Sequence, residues 1–363
     1  MYTRKVLHIL PSFGLGGTEK VAQLIACGLD RTTYEVAVYS PTDGPRAAFV
    51  RAAGIPVIIH DDVQRCVNAF VPDIVHIHRG GWPEPALLAR IRGGLRFRAD
   101  GTRRTRVVET NVFGRQDASV SGRIIDCTVF VSHFCARRYG AVHGVEIALP
   151  RYTTVYNPVE TDFLATHTRS PAVRDYTRPV VGRLSRADAG KWSTLALEML
   201  PPLVRAVPQV RYAVVGGIGS AFTYVREHDL EEHVTFLPPV TDLPALAHFL
   251  DSLSVFAHAN DTGESFGLVI AEAMAAGLPV VTHACPLPKD NAQVELVDHN
   301  VTGLVAHNAE DYAAAVAWLL GHPESARRMG MAGQNKAQKL FAVAVVVAQW
   351  QRLYEYVCPE ETA

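Results

Sequence analysis

Short apolar runs, each the length of one strand, alternate with helical stretches almost from end to end of this 363-residue chain. Residues 5–10, 34–40, 56–60, 73–78, 106–110, 127–131 and 153–156 make a first series. Most are near-continuous in Val, Ile and Leu. Strands of that kind are buried on both faces, which calls for a parallel sheet with crossover helices on either side. Residues 160–178 are polar and weakly periodic and read as a linker. A second series follows at 179–184, 211–216, 234–237, 255–259, 279–282 and 303–306, again with helices between. The expected fold class is α/β: two Rossmann-like domains, at 1–162 and 176–335, with parallel sheets facing a central cleft. Ligands of such sheets collect at the carboxyl ends of the strands. A last helix over 334–357, in the segment 336–363, could pack back on the first domain.

The bulk properties narrow the function. A formal net charge of -1 gives no electrostatic footprint for nucleic acid. The six cysteines, Cys27, Cys66, Cys127, Cys135, Cys285 and Cys358, form no C-x-x-C pair, which argues against a zinc site or a disulfide framework. The N-terminus lacks the pattern of a signal peptide, and no apolar run reaches the length of a membrane span. The expected location is the cytoplasm.

Four motifs carry chemistry. The first runs from Gly263 to Pro279, GESFGLVIAEAMAAGLP. It places Glu264 in a loop after a strand, predicts a helix capped by Ser265, and ends that helix at Gly277 and Pro279. Between Phe266 and Ala276 the single charged residue is Glu272, about two turns beyond Glu264. A carboxylate on so apolar a helix needs a partner if buried. The backbone N–H groups of Phe266, Gly267 and Leu268 form a first turn suited to phosphate. An ordinary packed helix with one internally paired carboxylate would carry the same spacing.

The spacing Glu264-x7-Glu272, with Glu272-Ala273-Met274-Ala275-Ala276-Gly277-Leu278-Pro279-Val280-Val281, resembles the signature of the family-four retaining glycosyltransferases of GT-B fold. The resemblance implies that Glu264 touches hydroxyls of the transferred sugar, Glu272 binds the nucleotide ribose, and the backbone between them, with Ser265, holds the diphosphate. Ser265 stands where the family more often has Gly. After Val281 this chain has Cys285-Pro286-Leu287-Pro288-Lys289 where a Gly-Gly pair is common.

The second motif is Val181-Gly182-Arg183-Leu184-Ser185 with Gly190-Lys191-Trp192. Arg183 ends a strand and Lys191 is expected to open a helix. Two fixed cations there would stabilise charge developing on a departing diphosphate. The family has a similar Arg and Lys. The Arg-to-Lys gap is longer here, so Arg186 is the alternative second cation. The third motif, Gly14-Leu15-Gly16-Gly17-Thr18-Glu19, follows the first strand. Its sixth position is Glu19, and the second strand ends without an acidic ribose partner, so a dinucleotide fingerprint is not met. The resemblance places Gly16 and Gly17 near the donor phosphates and the acceptor.

The fourth is Asp73-Ile74-Val75-His76-Ile77-His78-Arg79. His76 and His78 point to one face, and no third ligand with metal spacing accompanies them. The family has a His at this place that touches the donor sugar or positions the acceptor, a role that falls on His78. Arg90, Arg92, Arg96, Arg98, Arg103, Arg104 and Arg106 crowd one further stretch, either as a solvated face or as a contact for anionic lipid or an anionic acceptor.

The resemblance implies transfer from a nucleotide-sugar donor to a glycan, lipid-linked or small-molecule acceptor, with retention of configuration. The catalytic set would be Glu264, Arg183, Lys191 and His78, without metal or cofactor. The protein would be cytoplasmic or peripheral at the inner membrane face. An epimerase or phosphorylase on the same fold, or a non-catalytic nucleotide-sugar binder, remains the alternative.

Overall fold

The computed structural model describes residues 3–359. The first series of runs forms a seven-stranded sheet: β1 (Arg4–Ile9), β2 (Tyr34–Ser40), β3 (Val57–Ile59), β4 (Ile74–Arg79), β5 (Arg106–Asn111), β6 (Cys127–Phe130) and β7 (Tyr152–Thr154). The second forms a six-stranded sheet: β8 (Val180–Leu184), β9 (Arg211–Val215), β10 (Val234–Leu237), β11 (Val255–Ala257), β12 (Val280–His283) and β13 (Gly303–Ala306). Every ladder is parallel. The orders are β3-β2-β1-β4-β5-β6-β7 and β10-β9-β8-β11-β12-β13. Strand order therefore reverses beside β1 and β4 in one sheet and beside β8 and β11 in the other. Each such switch point opens a crevice beyond the strand ends.

The chain divides into two units. One comprises residues up to Pro158 together with those from Val343 onward; the other is Val159–Ala342. Two expectations need correction. Residues 160–178 are not a free linker. Thr161–His167 is a helix, and the buried Arg174 donates to the carbonyls of Leu250, Leu253 and Ala276 at 2.8–3.1 Å. An arginine that caps three main-chain carbonyls looks, in sequence, like any polar residue of a linker.

The last helix is also two helices, Pro323–Leu340 in the second unit and Val343–Val357 in the first. The break is made by pairing: Val159 N–H donates to Phe341 O at 2.7 Å, and Val159 bridges Ala342. No Gly or Pro marks it, so periodicity alone reads straight through. The helix Val343–Val357 packs on Gly17–Gly28 and places Trp350 and Tyr354 against His76. Residues 360–363, which end the expected third segment, lie outside the described residues.

Candidate functional site

In the second unit the switch point carries charge. Arg183, on β8, is buried and lies 3.8 Å from the centroid of the Trp192 ring. One guanidinium nitrogen, Nη2, donates to Lys191 O at 2.7 Å, while Nε and Nη1 have no partner among the described residues. Trp192 is fixed in turn by its Nε1–H, which donates to Gly216 O at 2.9 Å. Lys191 does not open a helix. It closes the short 3-10 turn Ala189–Lys191, whose N-cap Asp188 accepts from Gly190 N–H. The effect is to aim Lys191 Nζ at Glu264, 3.3 Å from Oε2 and 3.4 Å from Oε1. Arg186, the other candidate cation, is exposed and lies 3.9 Å from the Asp188 carboxylate.

Glu264 has more partners than its spacing announces. His258 Nε2 lies 3.1 Å from Oε1, and Asn260 Nδ2 donates to the same oxygen. Burial works to raise the Glu264 pKa, but the hydrogen bond from His258 and the charge on Lys191 outweigh it and hold the carboxyl below its usual range. Burial pushes His258 the other way, toward the neutral imidazole. His258, Asn260 and Gln293, whose Oε1 accepts from Glu264 N–H at 3.0 Å, escaped the sequence reading. The available signal was a histidine and an asparagine at the end of an otherwise apolar strand, β11.

The helix after Glu264 runs Leu268–Ala275, and its N-cap is Gly267 at φ +102° rather than Ser265. A side chain is strained in that left-handed region, which is why Gly stands there. Ser265 and Phe266 are buried, and Phe266 packs edge-on against Phe341 with ring centroids 5.3 Å apart. The first-turn N–H groups thus begin at Leu268. Glu272 is buried on the same helix.

The first unit's switch point is built from neutral rings. His8 on β1 pairs in register with His76 on β4, and His8 Nδ1 lies 2.9 Å from His78 Nε2. His8 is the third histidine that the spacing of His76 and His78 did not provide: one ring nitrogen from each of the three lies within 4.8 Å of the others, and the His8–His78 contact is at hydrogen-bond distance. His76 is already engaged on both nitrogens, by Tyr354 OH at 2.6 Å and Thr110 Oγ1 at 2.7 Å. Burial drives all three histidines neutral, His8 to about 3. His78 Nδ1 has no partner among the described residues.

Beside the histidines, Arg79 forms a buried cluster with Glu109 at 2.8 Å and Asp117 at 2.9 Å. A cavity of about 480 Å³ opens there, lined by Ile9, Tyr39, His78, Arg79, Glu84 and Arg90 among others. The Gly14–Glu19 loop closes on itself through Ser12 Oγ and Glu19 Oε1 at 3.0 Å; a Cβ on Gly16 would meet Glu19 Oε2. Gly17 begins the helix that follows. In the arginine-rich stretch, Arg96 pairs with Asp73 at 2.9 Å, and Arg103 and Arg106 reach Asp126. Arg90, Arg92, Arg98 and Arg104 are exposed, as is Phe97.

Residues 178–322 match the family model described as Glycosyl transferases group 1. A GDP-mannose-dependent alpha-(1-6)-phosphatidylinositol monomannoside mannosyltransferase of Mycolicibacterium smegmatis is 31% identical over 231 residues, 60% of this chain and 58% of that protein. A phosphatidyl-myo-inositol mannosyltransferase of Mycobacterium leprae is 28% identical over 305 residues, 82% of this chain and 77% of that one. The chain resembles the family-four glycosyltransferases. Its fold is GT-B: the crystal structure of Anabaena HepE in complex with UDP superposes with a TM-score of 0.78 at 19% identity, over 97% of this chain and 100% of that one. A glycosyltransferase from Rickettsia africae gives a TM-score of 0.78 at 14% identity, over 99% and 100%. The chain spans about three fifths of the length of the first curated relatives it matches.

Proposed function

We propose that this protein transfers a sugar from a nucleotide-sugar donor to an acceptor, with retention of configuration and without a metal. The observation that carries the reading is the ion pair of Lys191 with Glu264 beside buried Arg183, at the carboxyl ends of β8 and β11 and inside the segment that matches the family model. GDP-mannose is the first donor to test, because the named mannosyltransferase relatives include one that depends on it.

In this reading Glu264 accepts hydrogen bonds from the transferred sugar. Lys191 and Arg183 stabilise the charge that grows on the leaving diphosphate, a contribution realised in the transition state. The main-chain N–H of Leu268, first in the helix, and those of Phe266 and Gly267 in the turn before it hold the phosphates with Ser265, and Glu272 takes the ribose. No carboxylate other than Glu264 stands against the sugar in this reading, and Glu264 is committed to binding. Retention then follows a front-face route, in which a donor phosphate oxygen takes the acceptor's proton. His78, with its unpaired Nδ1 beside the cavity of the first unit, meets a sugar of the donor or acceptor, and Gly16 and Gly17 let the backbone approach it. The exposed Arg90, Arg92, Arg98 and Arg104 around Phe97 make a peripheral contact with an anionic membrane, the source of a lipid-linked acceptor.

The test is a thermal-shift screen of GDP-, UDP-, ADP-, CMP- and dTDP-sugars, followed by product analysis with the donor that binds. A donor at 100 times its Kd stabilises by about 2.7 kcal/mol. A shift with one nucleotide class, lost in Arg183→Ala, supports the reading; no shift with any donor overturns it. Consumption of donor without a transfer product would favour an epimerase or a phosphorylase. Flotation with anionic vesicles at low salt tests the membrane contact, and vesicles that float without the protein overturn it.

A further inference from the structure

We propose that His258 and Asn260 are positioning residues for Glu264: they hold Oε1 so that Oε2 is the oxygen presented to a hydroxyl of the transferred sugar. This rests on the reading of Glu264 given above. A carboxylate oxygen can accept about two hydrogen bonds. Oε1 already receives His258 Nε2, Asn260 Nδ2 and, at 3.4 Å, Lys191 Nζ. Oε2 meets Lys191 Nζ at 3.3 Å, which leaves it acceptor capacity. The two oxygens are therefore unequal, and the inequality is built by His258 and Asn260.

Both donors are themselves fixed. His258 is buried at the end of β11. A carboxylate can only accept, so the imidazole proton sits on Nε2, and Nδ1 is left as a bare acceptor without a partner among the described residues. Asn260 turns its amide NH2 toward Glu264, which can only accept, and its Oδ1 lies 3.1 Å from Thr262 Oγ1, a hydroxyl that has Gly190 O at the same distance. The main chain of Glu264 is held as well: its N–H donates to Gln293 Oε1, and its carbonyl accepts from Ala292 N–H at 2.8 Å. A neutral donor suits the position. A third fixed cation beside Arg183 and Lys191 would compete with the sugar hydroxyl for the carboxylate.

The experiment compares His258→Leu, His258→Gln, Asn260→Ala, Glu264→Gln and the double variant Glu264→Gln/His258→Leu, with the donor chosen by the screen. A misplaced carboxylate costs roughly ten- to a hundredfold in rate, and His258→Leu is expected to lower kcat by that amount. Binding of the free nucleoside diphosphate, GDP or UDP as the screen selects, stays unchanged by thermal shift. His258→Gln restores a donor near the Nε2 position and recovers most of the rate. The double variant is no slower than Glu264→Gln alone. Normal transfer by His258→Leu, with Glu264→Gln inactive, overturns the positioning role and leaves the function reading intact. Normal transfer by Glu264→Gln overturns the function reading itself. Equal losses of nucleotide binding and kcat, unrescued by His258→Gln, assign His258 to the core. Where His258→Leu fails to fold, Asn260→Ala and His258→Gln decide, and wild-type kcat in Asn260→Ala with no loss in His258→Gln overturns the proposal.

Discussion

The two sheets reverse strand order in the same way, yet the histidines at that point meet different surroundings in the two units. Beside β1 and β4 stand His8, His76 and His78, all buried and neutral, joined to each other and to Tyr354 and Thr110. Beside β8 and β11 stand the ion pair of Lys191 with Glu264, the buried Arg183, which donates to Lys191 O, and His258 as a neutral support. At its three histidines the first unit meets the cost of burying ionisable groups by discharging them, and at Arg79 next to them by pairing it with Glu109 and Asp117. The other meets it by surrounding a carboxylate with donors. Topology thus fixes where polar side chains converge, and local hydrogen bonding decides which protonation state they keep.

The largest effect that would sharpen this contrast is on turnover. Glu264→Gln is expected to reduce transfer by about 10²–10³-fold or more while the protein stays folded, measured as product formed at saturating donor. A variant of His78 that cost as much would erase the distinction between the two sites. Arg183→Ala comes next: loss of one oxyanion-stabilising donor costs about 3 kcal/mol of transition-state stabilisation, read as a drop in kcat/KM. It also strips Trp192 of its cation, so the Tm falls too.

The third test separates the units by pH. The folded-state pKa values of His8, His76 and His78 lie below 6.5, the ordinary histidine value. The unfolded chain therefore binds more protons at mildly acid pH. The stability of the neutral rings is fully present above pH 6.5 and falls as pH drops toward about 3, the value for His8. For His8 the slope in that window is at most about 1.4 kcal/mol per pH unit. Denaturant unfolding followed between pH 7 and 4 should show it, and His8→Leu should flatten the curve. Glu264 acts at lower pH: its depressed pKa gives stability present above the unfolded value and lost as pH falls through the folded one. The smallest effect is Tyr354→Phe, which leaves His76 Nδ1 without its partner at a cost of about 1–3 kcal/mol. An unchanged Tm would mean that the Tyr354 contact does not tie the helix Val343–Val357 to the histidine cluster.

Much of the candidate site was legible because chemistry and spacing coincided. Glu264, Lys191 and Arg183 lie in short motifs at strand ends, and the structure brings Lys191 and Glu264 into contact across 73 positions. His8 was not legible. It looks like one polar residue in an apolar strand, and it reaches His78 only because β1 and β4 are neighbours in register. The same holds for Gln293, 29 residues from the N–H it accepts. The arginine-rich stretch shows the converse: a run that reads as one basic surface splits into Arg96, Arg103 and Arg106, paired with Asp73 and Asp126, and a remainder that faces solvent.

What the sequence determined by itself is the architecture. Continuous apolar strands separated by helices admit parallel sheets and little else, because each such strand must be covered on both faces. Tertiary structure alone decided the partners. The helix break at Phe341 and Ala342 exists because Val159 pairs there, 183 positions away. The helix cap falls at Gly267, in the left-handed region, and the carboxylate three residues before it is held by His258 and Asn260. Periodicity is a local property and specifies which face is buried; hydrogen bonds between distant segments depend on register and on strand neighbours, which no single stretch of sequence contains.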